Sequence, residues 1–290
     1  MNEASLELLS LLDIEQLELN LFRGIGTGGE TSTRIFGGHV IAQALAAAYQ
    51  TVEERPCHSL HAYFVRPGNP VVPVVYQVDR TRDGNSFTTR RILAIQNGKQ
   101  ILTMSASFHV NEDGFHHQHE MPHVQGPEGL LERAELRASV AEQFSEESRL
   151  QFMRQRPIEV REIAPRDFFD PPSTSDLNHL WFRMPAASLA DTKLQQCLLA
   201  YASDLNLLGS ALRPHGITWF QNTIMTASLD HAMWFHAPVQ FDQWHLYSMD
   251  SPFSGGARGF NRGSVYACDG TLVASVAQEG LIRKYRPKTP

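Results

Sequence analysis

The chain has 290 residues, enough for one large domain or two medium ones with well-filled cores. Hydrophobic residues make up 42% and charged residues 19%, an ordinary globular balance. The formal net charge of −6 argues against a chain built to trap nucleic acid, while leaving room for a local basic patch that binds a small anion.

The N-terminal stretch MNEASLELLSLLDIEQLE is acidic with helical apolar spacing, and predicts a helix. It lacks the cationic leader of a signal peptide, and no stretch approaches the ~18 consecutive apolar residues of a membrane span. NLFRGIG then reads as a short strand. FGGHVIAQALAAAYQTV opens on Gly37 and Gly38 and predicts a helix that is apolar almost all round, the pattern of a helix buried on every side. VVPVVYQVDRTRDGNSFTTRRILAIQNGKQILTMSASFHV predicts antiparallel strands with turns at Asp83-Gly84 and Asn97-Gly98.

From residue 111 to about 175 the character changes. NEDGFHHQHEMPHVQGPEGL is turn-rich, LLERAELRASVAEQFSEESRLQFMRQ predicts a polar amphipathic helix, RPIEVREI a strand and APRDFFDPPSTSDLN a loop. This stretch reads as a connector wrapped over the outside. The first pattern then returns. LWFRMPA echoes LFRG, and LQQCLLAYASDLNLLGSAL is a second strongly apolar helix. SLDHAMWFHAP echoes SLHAYFVRP, and the last strands turn at Asp269-Gly270. Four phrases recurring in order point to a tandem duplication of one α+β unit.

An antiparallel sheet wrapped around one central apolar helix is the hot-dog fold. The expected fold class is therefore α+β, a tandem double hot-dog. The expected units are an N-terminal one over 1–112, the connector over 113–175 and a C-terminal one over 176–290. Two such sheets side by side would cover each other's exposed edges.

After a duplication, the informative positions are those where the copies differ. The first helix, Gly38 to Gln50, contains no carboxylate. The second contains Asp204, with Ala200, Tyr201, Leu207 and Leu208 one turn away on its face. A charge there ties a loop, caps a backbone group or does chemistry. Gln278 shares a strand face with Leu272, Ala274 and Val276, and a glutamine ending such a row usually has a specific partner. Ser228 opens the repeated phrase, opposite His58 without a gap and opposite Ser59 with one. Asp230 and His231 alternate in a strand and make a poor dyad.

Other motifs compete. His109, His116, His117, His119 and His123 are dense enough to suggest zinc, yet they lie in a turn-rich segment without cysteine partners or helical His spacing. Cys57-His58 alternate faces. RGIGTGG and SGGARG lack the strand–Gly-x-Gly-x-x-Gly–helix setting of a dinucleotide site. Arg258 and Arg262 beside SGGARG are positioned to meet anionic groups, or simply flank a hairpin turn. Cys57, Cys197 and Cys268 show neither metal nor redox spacing, so buried free thiols in a reducing cytoplasm are expected.

Taken together, LFRG, FGGHVIAQAL, HAYFVRPG, RDGNSF, GFHHQHEMP, RPIEVR, YASDLNLL, PHGI, DHAMWFH and ARGF…VAQEG resemble the acyl-CoA thioesterase II family, double hot-dog enzymes of bacteria with peroxisomal relatives. The resemblance covers essentially the whole chain. It implies hydrolysis of medium- to long-chain acyl-CoA to free fatty acid and CoA, with no metal or cofactor, in the cytoplasm. It also implies a homo-oligomer, dimer or tetramer, with no nucleic-acid or membrane partner. In that family a helix aspartate, a strand threonine or serine and a strand glutamine hold the attacking water, and these carry over to Asp204, Ser228 and Gln278. Many bacterial members have threonine where this chain has Ser228. His58 and Arg258 are candidate substrate-binding residues. Two alternatives are a non-catalytic acyl-CoA-binding module and an enoyl-CoA hydratase. Against the second, the position five past Asp204, where an Asp-x₄-His pair would need histidine, is Gly209.

Overall fold

Asn2 starts the first helix, its side-chain oxygen accepting from the Ser5 N–H at 2.8 Å and so satisfying a donor that the helix itself leaves unpaired. Helix α1 (Glu3–Leu12) is shorter than the acidic stretch predicted. Past Asp13 the chain becomes strand β1 (Glu15–Glu18), paired with β2 (Leu21–Gly24). All four β1 side chains are exposed, so backbone pairing rather than an apolar face selects the extended form. The computed structural model describes residues 2–26 and 33–285, with backbone only at Glu147 and Gln151. The glycine-rich stretch through Gly28 and Gly29, and the last five residues, lie outside the described residues.

Helix α2 (Gly37–Tyr49) is buried at every position but Gly37 and Ala46, as its lack of a polar face predicts. Its two polar side chains His39 and Gln43 are tied down, His39 Nε2 lying 3.0 Å from the Ile25 carbonyl oxygen. Gln43 Nε2 donates to the Leu11 and Ile25 carbonyls, and the Tyr76 hydroxyl donates to Gln43 Oε1 at 2.8 Å. Strands β3 (Cys57–Phe64), β4 (Val74–Asp83), β5 (Phe87–Gln96) and β6 (Lys99–His109) follow. The β5–β6 turn puts Asn97 at φ 49° and Gly98 at φ 71°, the left-handed pair that Asn-Gly accommodates.

The single amphipathic helix expected in the connector is instead three short pieces: α3 (Arg133–Ala138), a 3₁₀ turn at Ala141–Gln143 and α4 (Glu146–Phe152). Val140 and Phe144 leave helical geometry. Phe144 is drawn into an aromatic cluster with Phe152, Phe169 and Phe220, a tertiary demand that local periodicity does not contain. Strand β7 (Glu159–Glu162) pairs with β8 (Asn178–Arg183). Helix α5 (Thr192–Ser203) comes next, then β9 (Ile224–Ser228), β10 (Asp230–Phe235), β11 (His245–Gly255), β12 (Arg258–Ala267) and β13 (Leu272–Lys284).

The strands form one antiparallel sheet in the order β1-β2-β4-β5-β6-β3-β10-β13-β12-β11-β8-β7, with β9 pairing β13 off that path. The second six repeat the first six in reverse, as expected of a duplicated unit meeting its twin edge to edge. That meeting is β3 against β10, with His61 opposite Ala232 and Tyr63 opposite Asp230. Each half is an antiparallel sheet around its own helix, so the fold is a tandem double hot-dog. One hydrophobic core runs through both halves, from Ile41 and Leu45 of α2 to Leu198 and Leu199 of α5.

The repeated phrase is not repeated in facing. His61 is exposed, edge-on to the Trp234 ring, whereas His231 is fully buried. Side chains in a strand alternate, so the inserted Asp230 shifts the match by one, and Ala62 is the residue that shares His231's inward facing. Of the three cysteines, Cys57 and Cys197 are buried free thiols, but Cys268 is exposed. It follows the end of β12 at the turn before β13, a place where the chain runs over the surface.

Candidate active site

Asp204 is not inside a helix, as its neighbours' spacing suggested, but at the C-cap of α5. Two residues later Asn206 turns the chain at φ 63°, and a 3₁₀ segment, Leu207–His215, continues. This ending carries the carboxylate out of α5 and onto the start of α2. There Oδ2 accepts from the Gly38 N–H at 2.9 Å, and no side chain of α2's own N-cap, Phe36, does so. A helix N-terminus offers unpaired N–H groups and a positive dipole end, and both favour an anion.

The other carboxylate oxygen faces the second half's sheet. Gln278 Nε2 on β13 donates to Asp204 Oδ1 at 2.7 Å, and Ser228 Oγ at the end of β9 lies 3.5 Å from the same oxygen, the outer limit of a hydrogen bond. A carboxylate only accepts, so the amide nitrogen of Gln278 must face it. Its Oε1 then points away, buried and without a hydrogen-bond partner among the described residues. Asp204 thus gathers Gln278 and Ser228, both picked out in the sequence, together with a backbone donor that was not.

Asp204 and Ser228 open on a cleft of about 980 Å³ between the halves. Its wall mixes cations, Arg34, Arg66, Arg137 and Arg156, with aromatic side chains from both copies and the connector, among them Phe64, Phe144 and Trp219. The connector therefore helps to form the cleft instead of merely covering the outside. Gln278, only 1% exposed, does not line the cleft and reaches it through Asp204. A smaller cavity of about 430 Å³ beside α1 shares Arg137, Arg156 and Leu205 with this one.

Comparison with known proteins bears on this arrangement. Residues 147–281 match the family described as acyl-CoA thioesterase, and residues 28–109 match the acyl-CoA thioesterase N-terminal domain. Acyl-CoA thioesterase 2 of Haemophilus influenzae is 38% identical over 95% of this chain and 96% of its own length. The chain belongs to the acyl-CoA thioesterase II family. It is a thioester hydrolase. The crystal structure of an acyl-CoA thioesterase II, TesB2, from Mycobacterium marinum superposes with a TM-score of 0.78 at 38% identity, covering 98% of this chain and all of that one. A hot-dog protein of unknown function from Alicyclobacillus acidocaldarius, at 19% identity, has a TM-score of 0.75 over 97% of this chain and 98% of its own and supports the fold alone.

Several features of this thioesterase were not foreseen. Gly37 and Gly38 stood out only as the start of a helix. A Cβ on Gly37 would lie 2.7 Å from Asp204 Oδ2, and one on Gly38 2.3 Å from the Tyr201 carbonyl oxygen. Only glycine lets α2 approach the end of α5 closely enough for the Gly38 N–H to reach the carboxylate. The paired glycines at a helix start were the available signal. Behind Asp204, Ser203 is held twice, with the Tyr247 hydroxyl donating to its carbonyl at 2.6 Å and His231 Nε2 lying 2.9 Å from its Oγ. Burial pushes the His231 imidazole down to about 4, so it stays neutral there. Burial, with the nearby Asp204 charge adding to it, holds the Tyr247 phenol well above its ordinary value.

The remaining candidates lie elsewhere. His58 Nε2 sits 2.8 Å from Ser107 Oγ, edge-on to the Phe87 ring, and Arg258 pairs with Glu279 at 2.9 Å. Neither lines the cleft with Asp204, because the alternation of β3 and the β11–β12 hairpin direct them to other surfaces. Asp230, the aspartate present only in the second copy, accepts from the Glu279 N–H at 2.7 Å and ties the start of β10 to β13, and it does not line the cleft. Burial, in turn, holds its carboxyl above the usual range. Of the histidine-rich stretch, His116, His117, His119 and His123 are exposed in irregular chain, and His109 pairs with Glu112 at 2.9 Å.

Proposed function

We propose that the protein hydrolyses medium- to long-chain acyl-CoA to free fatty acid and CoA, with Asp204 as general base toward water. The observation that carries this reading is the Asp204 carboxylate, held by Gly38 N–H and Gln278 Nε2 yet open to the cleft beside Ser228. A carboxylate that faces a cleft can take a proton from a water bound there. A thioester carbonyl is already electrophilic, and a positioned water can attack it without a covalent nucleophile. Ser228 orients that water, lowering the entropy lost on alignment. Gln278 acts through Asp204, fixing the face that the carboxylate turns to the cleft.

The size of the cleft supports a substrate longer than a short acyl group, since about 980 Å³ lies at the upper end of ordinary small-molecule sites. Its arginines suit the phosphates of CoA and its aromatics an alkyl chain. We also place the protein in the cytoplasm as a homo-oligomer. Among the described residues no helix is long and apolar enough to cross a membrane. Tyr63 on β3 is 63% exposed, surface that a second copy would cover, and light scattering tests the assembly.

The deciding experiment measures thiol release from acyl-CoA of several lengths by wild type and Asp204→Asn. The substitution keeps shape but removes the base, and is expected to lower kcat by about 10²- to 10⁴-fold. Full activity in Asp204→Asn would remove Asp204 from the chemistry.

A further inference from the structure

Five phenylalanines form one contacting cluster, four of them line the cleft, and none takes part in the chemical step proposed above. Phe144 and Phe152 come from the connector's helical pieces, Phe168 and Phe169 from its loop after β7, and Phe220 from the 3₁₀ turn before β9. Phe220 is the hub, with ring centroids 5.9 Å from Phe144, 5.4 Å from Phe152, 5.5 Å from Phe168 and 6.4 Å from Phe169. Phe144 lies 4.4 Å from Phe152 and 5.2 Å from Phe169. Arg137 stacks on Phe152, its guanidinium carbon 5.6 Å from the ring centre.

The rings do not bury one another completely. Phe152 is 7% exposed, but Phe144, Phe169 and Phe220 are only partly buried, and all three line the cleft that contains Asp204. Phe168 does not line it and backs the others. Half-covered rings joined into a continuous wall form a surface that an apolar ligand would complete. Trp219, next to Phe220 in the chain and also lining the cleft, donates its Nε1–H to Thr226 Oγ1 at 3.1 Å and so ties this turn to β9. Thr226 precedes Ser228 by two residues in β9, which at the rise of a strand is roughly 7 Å. For a thioester whose carbonyl lies beside Asp204 and Ser228, a longer acyl chain reaches more of this wall than one of a few carbons.

We infer that Phe144, Phe169 and Phe220 form the acyl-chain wall of the cleft and set the enzyme's preference for chain length. The occupant is the alkyl tail of the thioester substrate, and the inference rests on the reading of this cleft as the hydrolytic site. The connector is then a specificity element. It brings Phe144 to the wall because its helix breaks at that residue, so the interruption in helical geometry has a use.

The test compares kcat/KM for palmitoyl-CoA with kcat/KM for butanoyl-CoA in wild type, Phe144→Ala, Phe220→Ala and Phe253→Ala. Both rates come from one preparation, so their ratio does not depend on how much of a variant is folded. Losing one ring's contact with several methylenes is expected to lower the ratio about tenfold in Phe144→Ala and Phe220→Ala. Phe253→Ala, on the exposed β11–β12 hairpin, is expected to leave the ratio unchanged. An unchanged or increased ratio in both cleft variants would overturn the assignment, even with activity intact and Asp204→Asn inactive. Activity surviving in Asp204→Asn would instead undo the catalytic reading and leave the ratio test standing.

Discussion

Replacing Gly38 by alanine asks how closely two helices must approach for one carboxylate to be in place. The added Cβ would meet the Tyr201 carbonyl oxygen at 2.3 Å, against an ordinary contact of 3.4 Å or more, so α2 and α5 must separate by about 1 Å. The obstacle is backbone, not the end of a flexible side chain, so little can yield locally. The same movement stretches the Gly38 N–H contact to Asp204 from 2.9 Å toward the limit of a hydrogen bond. Overpacking costs about 1–3 kcal/mol and a lost bond to a charged group about 1.5–3 kcal/mol, together roughly 2.5–6 kcal/mol. A misplacement of about 1 Å in a catalytic group also costs on the order of a hundredfold in rate. Urea unfolding and thiol-release kinetics on Gly38→Ala measure both. Gly114→Ala, where a Cβ meets nothing within 4 Å, is the control and is expected to stay within about 0.5 kcal/mol of wild type. If Gly38→Ala stayed as stable as wild type with kcat/KM within about twofold, close helix approach would not be what positions Asp204.

Gln278→Glu would set two carboxylates against each other at a site where donor and acceptor now lie 2.7 Å apart. Like charges this close cannot both ionise freely, so the acid limb of the pH–rate profile is expected to move to higher pH, and an unmoved limb counts against the contact. Ser228→Thr keeps the hydroxyl and restricts its rotamer, so kcat is expected to stay level or rise, while Ser228→Ala lowers it about tenfold or more. A steady-state comparison in which Ser228→Ala matches wild type would remove the hydroxyl from the reaction. His231, held at about 4 when folded and near 6.5 when unfolded, takes up its proton preferentially in the unfolded chain between those values. Its contribution to stability is therefore present above about pH 6.5 and lost as pH falls toward 4, on the order of 3 kcal/mol. His231→Gln is expected to flatten the fall in urea midpoint across that window, and an unchanged slope would assign the loss to other groups.

Periodicity and repetition decided much of this protein before any fold was built. An all-apolar helix has one stable place, so α2 was legible as a central helix, and Asn-Gly at 97–98 named its own hairpin. The four repeated phrases gave two units, and the carboxylate at the end of the second helix marked the copy that holds the candidate site. These signals are local because burial on all sides, or a left-handed turn, constrains residues within a few positions of each other. What escaped depends on contacts between distant segments. Asp204 reads as an interior helical residue until Asn206 ends the helix, and its Gly38 partner lies 166 residues earlier in the sequence. Glycine at 38 is required by a carbonyl of the other copy, which no window around 38 contains. His61 and His231 share a phrase but face opposite ways, because one inserted residue reverses alternation and only pairing fixes the register. The connector's helix breaks at Phe144 because four phenylalanines from separate segments meet there. Sequence determined the units and the residue types of the site. Tertiary structure decided which backbone donor and which facing complete the candidate site, since side chains far apart in the chain become neighbours only once both halves are folded together.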